Sequence, residues 1–345
     1  MNRLSPLLAL AAAALAGCSP VTMTFTLFAD SSKLIETTVD VDKGAGESKV
    51  AMIDVRGLIA EKIEAGLLSP GGSSVDELVA RLKRAEEDSR VKAIIIRINS
   101  PGGTVTGSDM MYREVRRFSE VSKKPVIASL GEVAASGGYY LALASDRIIA
   151  EPTSITGSIG VIMPTINISE GLGKIGIHSR SIKSGKNKDL ANPLEPMREE
   201  QYAVLQETVD EFYAGFKNLV VERRTRAASV GTTSIDASRL ADLTDGRVFT
   251  GVRAKEYGLV DQTGGVRDAF AVAKSLAGID AARLVKYYPE GGERPKSAYA
   301  GSSVPRPGEG GGGTEVNLVQ IRAGGMGAFG GAGYAGAYFL WLPPG

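Results

Sequence analysis

The feature that most constrains the fold of this chain is a β-branched apolar run at Val91–Ile98, which contains three successive isoleucines at 94–96. Successive side chains of a strand point to opposite faces of a sheet, so this run predicts a strand that is buried on both faces. Such strands are typical of the centre of a parallel sheet. The run ends in a turn sequence, Asn99–Gly103, which predicts the start of a helix that reaches about Phe118.

The rest of the chain repeats this alternation of strand and helix. Apolar runs predict strands, and apolar residues at helical spacing predict helices. The further predicted strands are 49–55, 125–129, 147–150 and 284–288, and the further helices are 74–85 with Ser74 as its N-cap, 138–144, 200–226 and 266–277. Strands that alternate with helices indicate an α/β fold of βαβ units around a parallel sheet.

The composition is that of an ordinary globular protein. The 345 residues carry a formal net charge of +1, with 43% hydrophobic and 23% charged residues. The sequence has neither a basic stripe nor the cysteine and histidine spacing of a zinc site. We therefore expect no nucleic-acid partner, and nothing in the sequence implies a metal or a cofactor.

The N-terminus predicts export. Arg3 precedes an apolar run, Leu7–Ala16, which is short for a membrane span and ends in the small-residue pattern Leu15–Cys18. This is the pattern of a lipoprotein signal peptide at 1–17, with Cys18 as the lipidated first residue of the mature chain. We expect the protein to be anchored by this lipid to a membrane of the cell envelope, on the periplasmic face in a Gram-negative host. In a Gram-negative host, Ser19 directly after the lipidated cysteine is compatible with transport to the outer membrane.

Three segments follow the signal peptide. Residues 18–48 are polar and predict a tether, 49–300 the folded domain, and 301–345 a tail. Proline and glycine residues between 305 and 313 predict a flexible linker, and 316–321 could form a short strand. The end of the tail is glycine-rich and either has no fixed structure or docks its aromatic residues on a groove or a neighbouring subunit. Those residues are Phe329, Tyr334, Tyr338, Phe339 and Trp341.

The segment Ala134–Tyr140 presents a single serine, Ser136, in a turn of small residues at the start of a predicted helix. A serine there could be a nucleophile, because unpaired backbone N–H groups at the turn can hold a developing oxyanion. Gly137 is the first candidate donor. Gly102 or Gly103 could supply the second, since the absence of a side chain lets the backbone approach a substrate.

A serine nucleophile needs a base, and the sequence favours lysine for that role. The only histidine of the chain is His178, whereas Ser184–Asp189 offers Lys186 and Lys188. A lysine accepts a proton only as the free amine, so its ordinary pKa of about 10.4 must fall, and burial among apolar groups has that effect. Each motif alone also fits a surface charge or an ordinary turn.

Together the motifs resemble the signal peptide peptidase A family, the S49 serine peptidases, in its short single-domain form. The resemblance covers roughly residues 50–280. The matching segments, in the order of the family, are Asn99–Gly103, Ala135–Tyr140, Thr156–Val161, Ser184–Asp189 and Asp245–Gly251.

The resemblance implies a role for each matching residue. Ser136 matches the nucleophile, Lys188 the general base, and Ser158 the serine that orients the lysine amine. Gly137 and Gly103 match the oxyanion donors, with Gly102 as the weaker candidate. Lys183 and Lys186 lie close to Lys188, and the sequence alone does not exclude them.

The resemblance also implies a fold and an assembly. The expected fold is of the ClpP/crotonase type, a β-spiral of repeated ββα units with a single catalytic domain. A homo-oligomeric ring is expected, in which Lys188 acts within its own subunit or across an interface. Members of the family are typically anchored by a transmembrane helix, so the lipid predicted on Cys18 departs from the pattern.

The function expected from these observations is a membrane-associated serine endopeptidase with a Ser–Lys dyad. It would cleave apolar peptides such as signal-peptide remnants through an acyl-enzyme. Two alternatives are a catalytically silent envelope scaffold of the same fold and a processing peptidase for one envelope protein. A crotonase-type acyl-CoA enzyme is disfavoured by export, because CoA is cytoplasmic.

Overall fold

The computed structural model of the chain describes residues 33–62, 72–225, 233–301 and the backbone of 338–340. The predicted signal peptide, Cys18 and the predicted strand at 316–321 lie outside the described residues. Within the described ranges, no helix has both the length and the apolar character needed to cross a membrane.

The elements alternate along the chain much as predicted. The strands are β1 (Leu34–Val41), β2 (Lys49–Arg56), β3 (Val91–Ser100), β4 (Gly102–Thr104), β5 (Val126–Ala135), β6 (Arg147–Ala150), β7 (Ile155–Gly157), β8 (Val248–Thr250), β9 (Gln262–Thr263), β10 (Arg283–Pro289) and β11 (Tyr338–Leu340). The α-helices are α1 (Ser74–Glu87), α2 (Val105–Ser122), α3 (Gly137–Ala142), α4 (Ser169–Lys174), α5 (Glu199–Arg224), α6 (Leu240–Leu243), α7 (Gly251–Glu256) and α8 (Val266–Ala277), and a 3₁₀ helix covers Ala237–Arg239.

Most described strands belong to one mixed sheet in the order β1-β10-β2-β3-β5-β6-β9. The strands from β10 to β9 are parallel, and β1 pairs antiparallel with β10 at the edge. The end of β5 also pairs with β7, and β7 pairs antiparallel with β8. This branch matters for the site, because it separates the end of β5 from β6 and places β7 beside it.

The isoleucine run of β3 explains why helices cover both faces of the sheet. Ile94 and Ile96 pack in the core on the face of α1 and α2, whereas Ile95 packs on the opposite face with α8. The three side chains are at most 1% exposed. The predicted α/β class with a buried central strand is therefore confirmed, although the sheet is mixed at its edges.

Two local predictions at helix α1 and strand β1 need correction. The N-cap of α1 is Ser73, whose side chain accepts from the Asp76 amide, while the Ser74 hydroxyl accepts from the Ala60 amide. No strand is predicted before Lys49, but β1 lies within the segment predicted to be a polar tether. Its polar residues are compatible with an edge strand, because one side of it faces solvent.

A buried ion pair joins β2 to its neighbour β10. The Lys286 side chain is fully buried, and its Nζ lies 2.6 Å from Asp54 Oδ2. Burial lowers the pKa of Lys286, and Asp54 acts in the opposite direction. Lys286 Nζ also donates to the carbonyl oxygens of Ala298 and Ala300, at 3.3 and 2.6 Å. The pair therefore fixes the segment through which the chain leaves the domain.

Replacing Lys286 with methionine should strongly destabilise the fold. The substitution leaves the Asp54 carboxylate buried without its nearest countercharge, which typically costs about 3–5 kcal/mol of unfolding free energy. Urea unfolding followed by circular dichroism measures the effect. Lys255→Met on α7, where the lysine is exposed, should change the unfolding free energy by less than about 0.5 kcal/mol. Equal free energies of unfolding for the two variants would contradict the stabilising role expected of the Lys286–Asp54 ion pair.

Candidate active site

Ser136 lies where β5 ends and α3 begins. Its backbone has φ 51° and ψ −113°, a conformation that costs a non-glycine residue of the order of 1–3 kcal/mol. Two hydrogen bonds hold it there: the Ser136 amide donates to the Gly157 carbonyl at 2.8 Å, and the Tyr140 amide donates to the Ser136 carbonyl at 2.8 Å. The strain is thus maintained by the pairing of β5 with β7 and by the first turn of α3.

The Ser136 side chain is buried but unpaired. The residue is fully buried, and Oγ has no hydrogen-bond partner among the described residues. A buried hydroxyl without a partner costs about 1–3 kcal/mol, so native structures rarely keep one without a functional reason. Strain and an unpaired hydroxyl at the same residue make Ser136 the strongest candidate nucleophile of the described residues.

Gly137 lies directly against β4. The position that a Cβ atom would take on Gly137 is 3.1 Å from the Gly103 amide nitrogen and overlaps the Ser108 hydroxyl. The residue after Ser136 and the middle of β4 are therefore in close backbone contact. The structure brings together the two glycines predicted as oxyanion donors, and only residues without side chains allow this approach.

Strand β4 is fixed from its other edge by Ile59. The Ile59 amide donates to the Gly102 carbonyl at 2.9 Å, and the Thr104 amide donates to the Ile59 carbonyl at 2.8 Å. A side chain on Gly103 would overlap the Ile59 carbonyl. Because N–H and C=O groups alternate in direction along a strand, those of Gly103 face away from Ile59.

Ser100 is a structural residue of the site that sequence reasoning missed. Its fully buried hydroxyl donates to the Gly57 carbonyl at 2.6 Å and accepts from the Gly102 amide at 3.1 Å. It therefore sets the bend between β3 and β4. Its position inside the Asn99–Gly103 turn was the available signal, but nothing local showed that its partner would be Gly57.

Ser158 lies beside Ser136 because of strand register. In the parallel pair of β5 and β7, Ala135 is opposite Gly157, so Ser136 and Ser158 each follow a paired residue. Ser158 also has a positive φ of 51°, is 7% exposed, and its amide donates to the Arg247 carbonyl at 2.8 Å. Four of the five predicted site residues therefore meet at one place.

Lys188 is not part of this cluster. Its side chain is exposed, and within the part of the chain that the structure describes the side-chain amine makes no hydrogen bond or ion pair. Lys186 is also exposed. Lys183 instead forms an ion pair with Asp189, and this hydrogen bond lowers the pKa of the Asp189 carboxyl. Because Asp189 already engages the Lys183 amine, Lys183 is the least available of the three.

The segment around Lys188 exposes an unusual amount of apolar surface. Between β7 and α5, four isoleucines are more than half exposed: Ile166 at 61%, Ile175 at 70%, Ile177 at 52%, and Ile182 completely. The single histidine, His178, is exposed in the same segment. Clustered exposed isoleucines are typical of a surface that another molecule covers.

Comparison with known proteins identifies the family of the chain. The sequence model of peptidase family S49 matches residues 119–280, a range that contains Ser136, Ser158 and Lys188 but not Gly103. A protein of Enterococcus faecium with the provisional name signal peptide peptidase SppA is 33% identical over 261 residues, which are 76% of this chain and 72% of that protein.

Two longer relatives match over a smaller share of their length. The chloroplastic serine protease SPPA of Arabidopsis thaliana is 35% identical over 236 residues, which are 68% of this chain and 33% of the relative. Protease 4 of Salmonella typhi is 32% identical over 241 residues, which are 70% of this chain and 37% of the relative. The chain belongs to the S49 serine peptidases of the signal peptide peptidase A and protease 4 type.

Removing the Ser136 hydroxyl should stabilise the protein. Ser136→Ala deletes a buried polar atom that has no partner, so the free energy of unfolding should rise by about 1–2 kcal/mol. Ser100→Ala is the matched control. It should lower the free energy of unfolding, because it leaves the Gly57 carbonyl and the Gly102 amide without their partner. Urea unfolding of both variants measures the difference. A loss of stability in Ser136→Ala would mean that its hydroxyl has a partner in solution.

Proposed function

We propose that this S49 peptidase is a serine endopeptidase that acts through a Ser136–Lys188 dyad and an acyl-enzyme. The observation that carries the proposal is the buried, unpaired Ser136 hydroxyl beside the backbone of Gly137 and Gly103. A nucleophile and two backbone amides at one point are the parts that acyl transfer requires. The printed names of the relatives, a signal peptide peptidase and two proteases, support the same class.

In the first half of the reaction, Ser136 Oγ attacks the carbonyl carbon of the scissile peptide bond. The hydroxyl proton moves to the neutral amine of Lys188, and the amides of Gly137 and Gly103 stabilise the negative oxygen of the tetrahedral intermediate. The intermediate collapses when the C–N bond breaks and the Lys188 ammonium returns the proton to the leaving amine. An ester between Ser136 and the substrate acyl group remains.

The second half of the reaction is hydrolysis of this ester. Lys188 takes a proton from a water molecule that attacks the ester carbonyl, and the same two amides stabilise the second tetrahedral intermediate. The C–O bond then breaks, Ser136 recovers its proton from Lys188, and the carboxylic acid product leaves. Ser158 is proposed to form one hydrogen bond with the Lys188 amine and so to direct this amine at the Ser136 hydroxyl.

The exposed position of Lys188 supports a proposal about assembly. We infer that the chain forms a homo-oligomeric ring in which the segment of Ile166, Ile175 and Ile182 is covered by a neighbouring copy. Such cover would remove the lysine amine from water, which favours the neutral form that a base needs. Lys188 would then act on Ser136 of its own subunit or of the neighbour.

The substrate class and the location are proposals from the sequence. The lipoprotein pattern ending in Cys18 supports an anchor in the cell envelope, which would keep the enzyme close to apolar peptides such as signal-peptide remnants. The fold proposed is the ClpP/crotonase type. The order of β3, β4 and α2, two strands followed by a helix, supports a ββα unit.

Active-site labelling tests the dyad. The mature wild-type chain, treated with a fluorophosphonate and analysed by intact mass, should gain one adduct. Ser136→Ala and Lys188→Ala should both lose it, because one removes the nucleophile and the other its base. Ser158→Ala should slow labelling about 10- to 100-fold, as expected for a group that orients a base.

Lys186→Ala is the matched control for Lys188→Ala, since both lysines are exposed on the same segment and differ only in the proposed role. It should keep most of the labelling rate. Loss of the adduct in Lys186→Ala and its retention in Lys188→Ala would reverse the choice of base. A wild-type oligomer that is folded but takes no adduct, from this probe or a peptide aldehyde, would favour the silent scaffold.

Substitution of the exposed isoleucines tests the proposed assembly. The double variant Ile175→Asp/Ile182→Asp should lower the mass measured by light scattering and reduce labelling of Ser136, because charges in an apolar interface prevent association. The control is Val121→Asp at the end of α2, a residue that is also 61% exposed but lies outside this segment. Both variants should keep the wild-type circular dichroism spectrum. An unchanged mass in the double variant would mean that another surface holds the oligomer together.

A further inference from the structure

The buried side chain of Gln201 connects the segment of Lys188 to helix α5. Residues 184–191, here called the lysine turn, are a run of bends and turns that carries Lys188. Gln201 lies in the first turn of α5 and is 1% exposed, whereas the other three buried residues of this 26-residue helix lie within its last nine positions. An unpaired polar group is costly to bury, so the partners of Gln201 must explain its burial.

The Gln201 amide group bonds to residues on both sides of Lys188. Its Nε2 donates to the Asp189 carboxylate at 2.9 Å and, in a longer contact of 3.4 Å, to the Lys186 carbonyl. Its Oε1 accepts from the Arg198 amide at 3.1 Å, which caps the start of α5. Both N–H donors of the side chain are therefore used to hold the lysine turn.

The bonds within the lysine turn are local. The Lys188 amide donates to the Gly185 carbonyl at 3.1 Å, and the Leu190 amide donates to the Asn187 carbonyl at 3.3 Å. These bonds shape the turn, whereas the bonds from Gln201 attach it to a helix. The Arg198 guanidinium adds a second attachment, because it donates to the Lys186 carbonyl at 2.6 Å.

The other end of α5 is fixed to α3, the helix that begins directly after Ser136. Arg223 donates to the Leu143 carbonyl at 2.8 Å and to the Ser145 carbonyl at 3.1 Å. These carbonyls lie just beyond the end of α3, where arginine side chains commonly bond to free backbone oxygens. One helix therefore bonds to the structure around the candidate nucleophile and to the turn of the proposed base.

The length of α5 makes this connection sensitive to its attachment points. Arg223 follows Gln201 by 22 residues, which corresponds to about 33 Å along a helix axis. The helix fixes where its first turn lies relative to the domain, but the lysine turn follows the helix only as far as side chains bind it. A base must lie within hydrogen-bond reach of the proton that it takes, and a misplacement of about 1 Å can cost about 100-fold in rate.

We propose that Gln201 is a positioning residue for the base, which fixes the lysine turn to α5 and so sets where the Lys188 amine is presented. The inference rests on the proposed Ser136–Lys188 dyad for its effect on rate, but the attachment of the turn can be measured without catalysis. It applies whether Lys188 acts on Ser136 of its own copy or of a neighbour, because α5 places the turn in both cases.

Gln201→Glu separates the attachment of the turn from the capping of the helix. The new carboxylate still accepts from the Arg198 amide, as glutamate does in a capping box, so α5 keeps its start. It has no N–H to donate, and its charge repels the Asp189 carboxylate. Fluorophosphonate labelling of Ser136 should therefore slow about 10- to 100-fold.

Gln206→Glu is the matched control for this substitution. Gln206 is an exposed residue of the same helix and also donates to a carboxylate, that of Asp210 at 2.7 Å, outside the lysine turn. The control loses the same kind of bond and gains the same charge. Its labelling rate should stay within about twofold of the wild type, as expected for a surface substitution.

A rescue experiment distinguishes positioning from a general loss of structure. In Asp189→Asn, the new amide oxygen still accepts from Gln201, so this variant is the reference. In the double variant Asp189→Asn/Gln201→Glu the direction of the bond is reversed, because the new asparagine donates to the new glutamate. Gln201→Glu should slow labelling by less than about threefold in this background, and this coupling is the signature of a direct pair.

Hydrogen–deuterium exchange measures the attachment without catalysis. In a chain that carries Ser136→Ala, Gln201→Glu should speed exchange of the Lys188 and Leu190 amides at least about fivefold, because the turn opens more often. Gln206→Glu should leave their exchange unchanged. The amides of α5 should remain protected in both variants, since the helix cap is kept.

The two measurements separate the possible failures. If Gln201→Glu changes neither labelling nor exchange, or changes exchange alone in a protein that is labelled, the inference is wrong and the dyad still stands on the wild-type adduct. If the turn exchanges faster but no chain is labelled, the catalytic proposal fails and the attachment is confirmed. If α5 also loses protection, the double variant decides: recovery of labelling supports the inference, and an equal loss in both backgrounds overturns it.

Discussion

The site depends on the pairing of β5 with β7, and in particular on the hydrogen bond from the Ser136 amide to the Gly157 carbonyl. This bond holds Ser136 at positive φ, turns its hydroxyl away from every partner among the described residues, and brings Ser158 alongside. The cost of the strain and of the unpaired hydroxyl is offset by the surrounding sheet, whose central strands are buried on both faces. The rigidity of the sheet is therefore what makes an otherwise unfavourable conformation permanent.

The candidate nucleophile and its proposed base lie in contrasting surroundings. Ser136 is fixed in the core, but Lys188 lies on an exposed segment that also carries exposed isoleucines. If a neighbouring copy covers this segment, the lysine becomes a base only in the assembled protein. Activity would then be linked to oligomer formation by desolvation of one amine, which would keep a single copy of the chain inactive.

The short strand β4 connects the site to the C-terminus. Ser100 and Ile59 fix one side of β4, and the other side is paired with β11. Arg56 and Arg97, which donate to the backbone where the tail leaves the domain, belong to the same two strands, β2 and β3, that lead into the loops before Ile59 and Gly102. The loop, the proposed oxyanion donor and the tail thus lie at neighbouring ends of the central sheet, where parallel strands gather functional groups.

The sequence by itself determined the α/β class, the central strand, the family and most of the segments that meet at the candidate site, because these follow from patterns read locally along the chain. The predicted strand at 147–150 and the helix at 266–277 are confirmed without change. Only the tertiary structure decided that Ser158 adjoins Ser136, that Ser100 sets the bend at β4, that β1 closes the sheet edge, and that the tail pairs with Gly103. Each of these is a contact between residues distant in sequence, fixed by strand register and by the packing of the sheet rather than by any local preference.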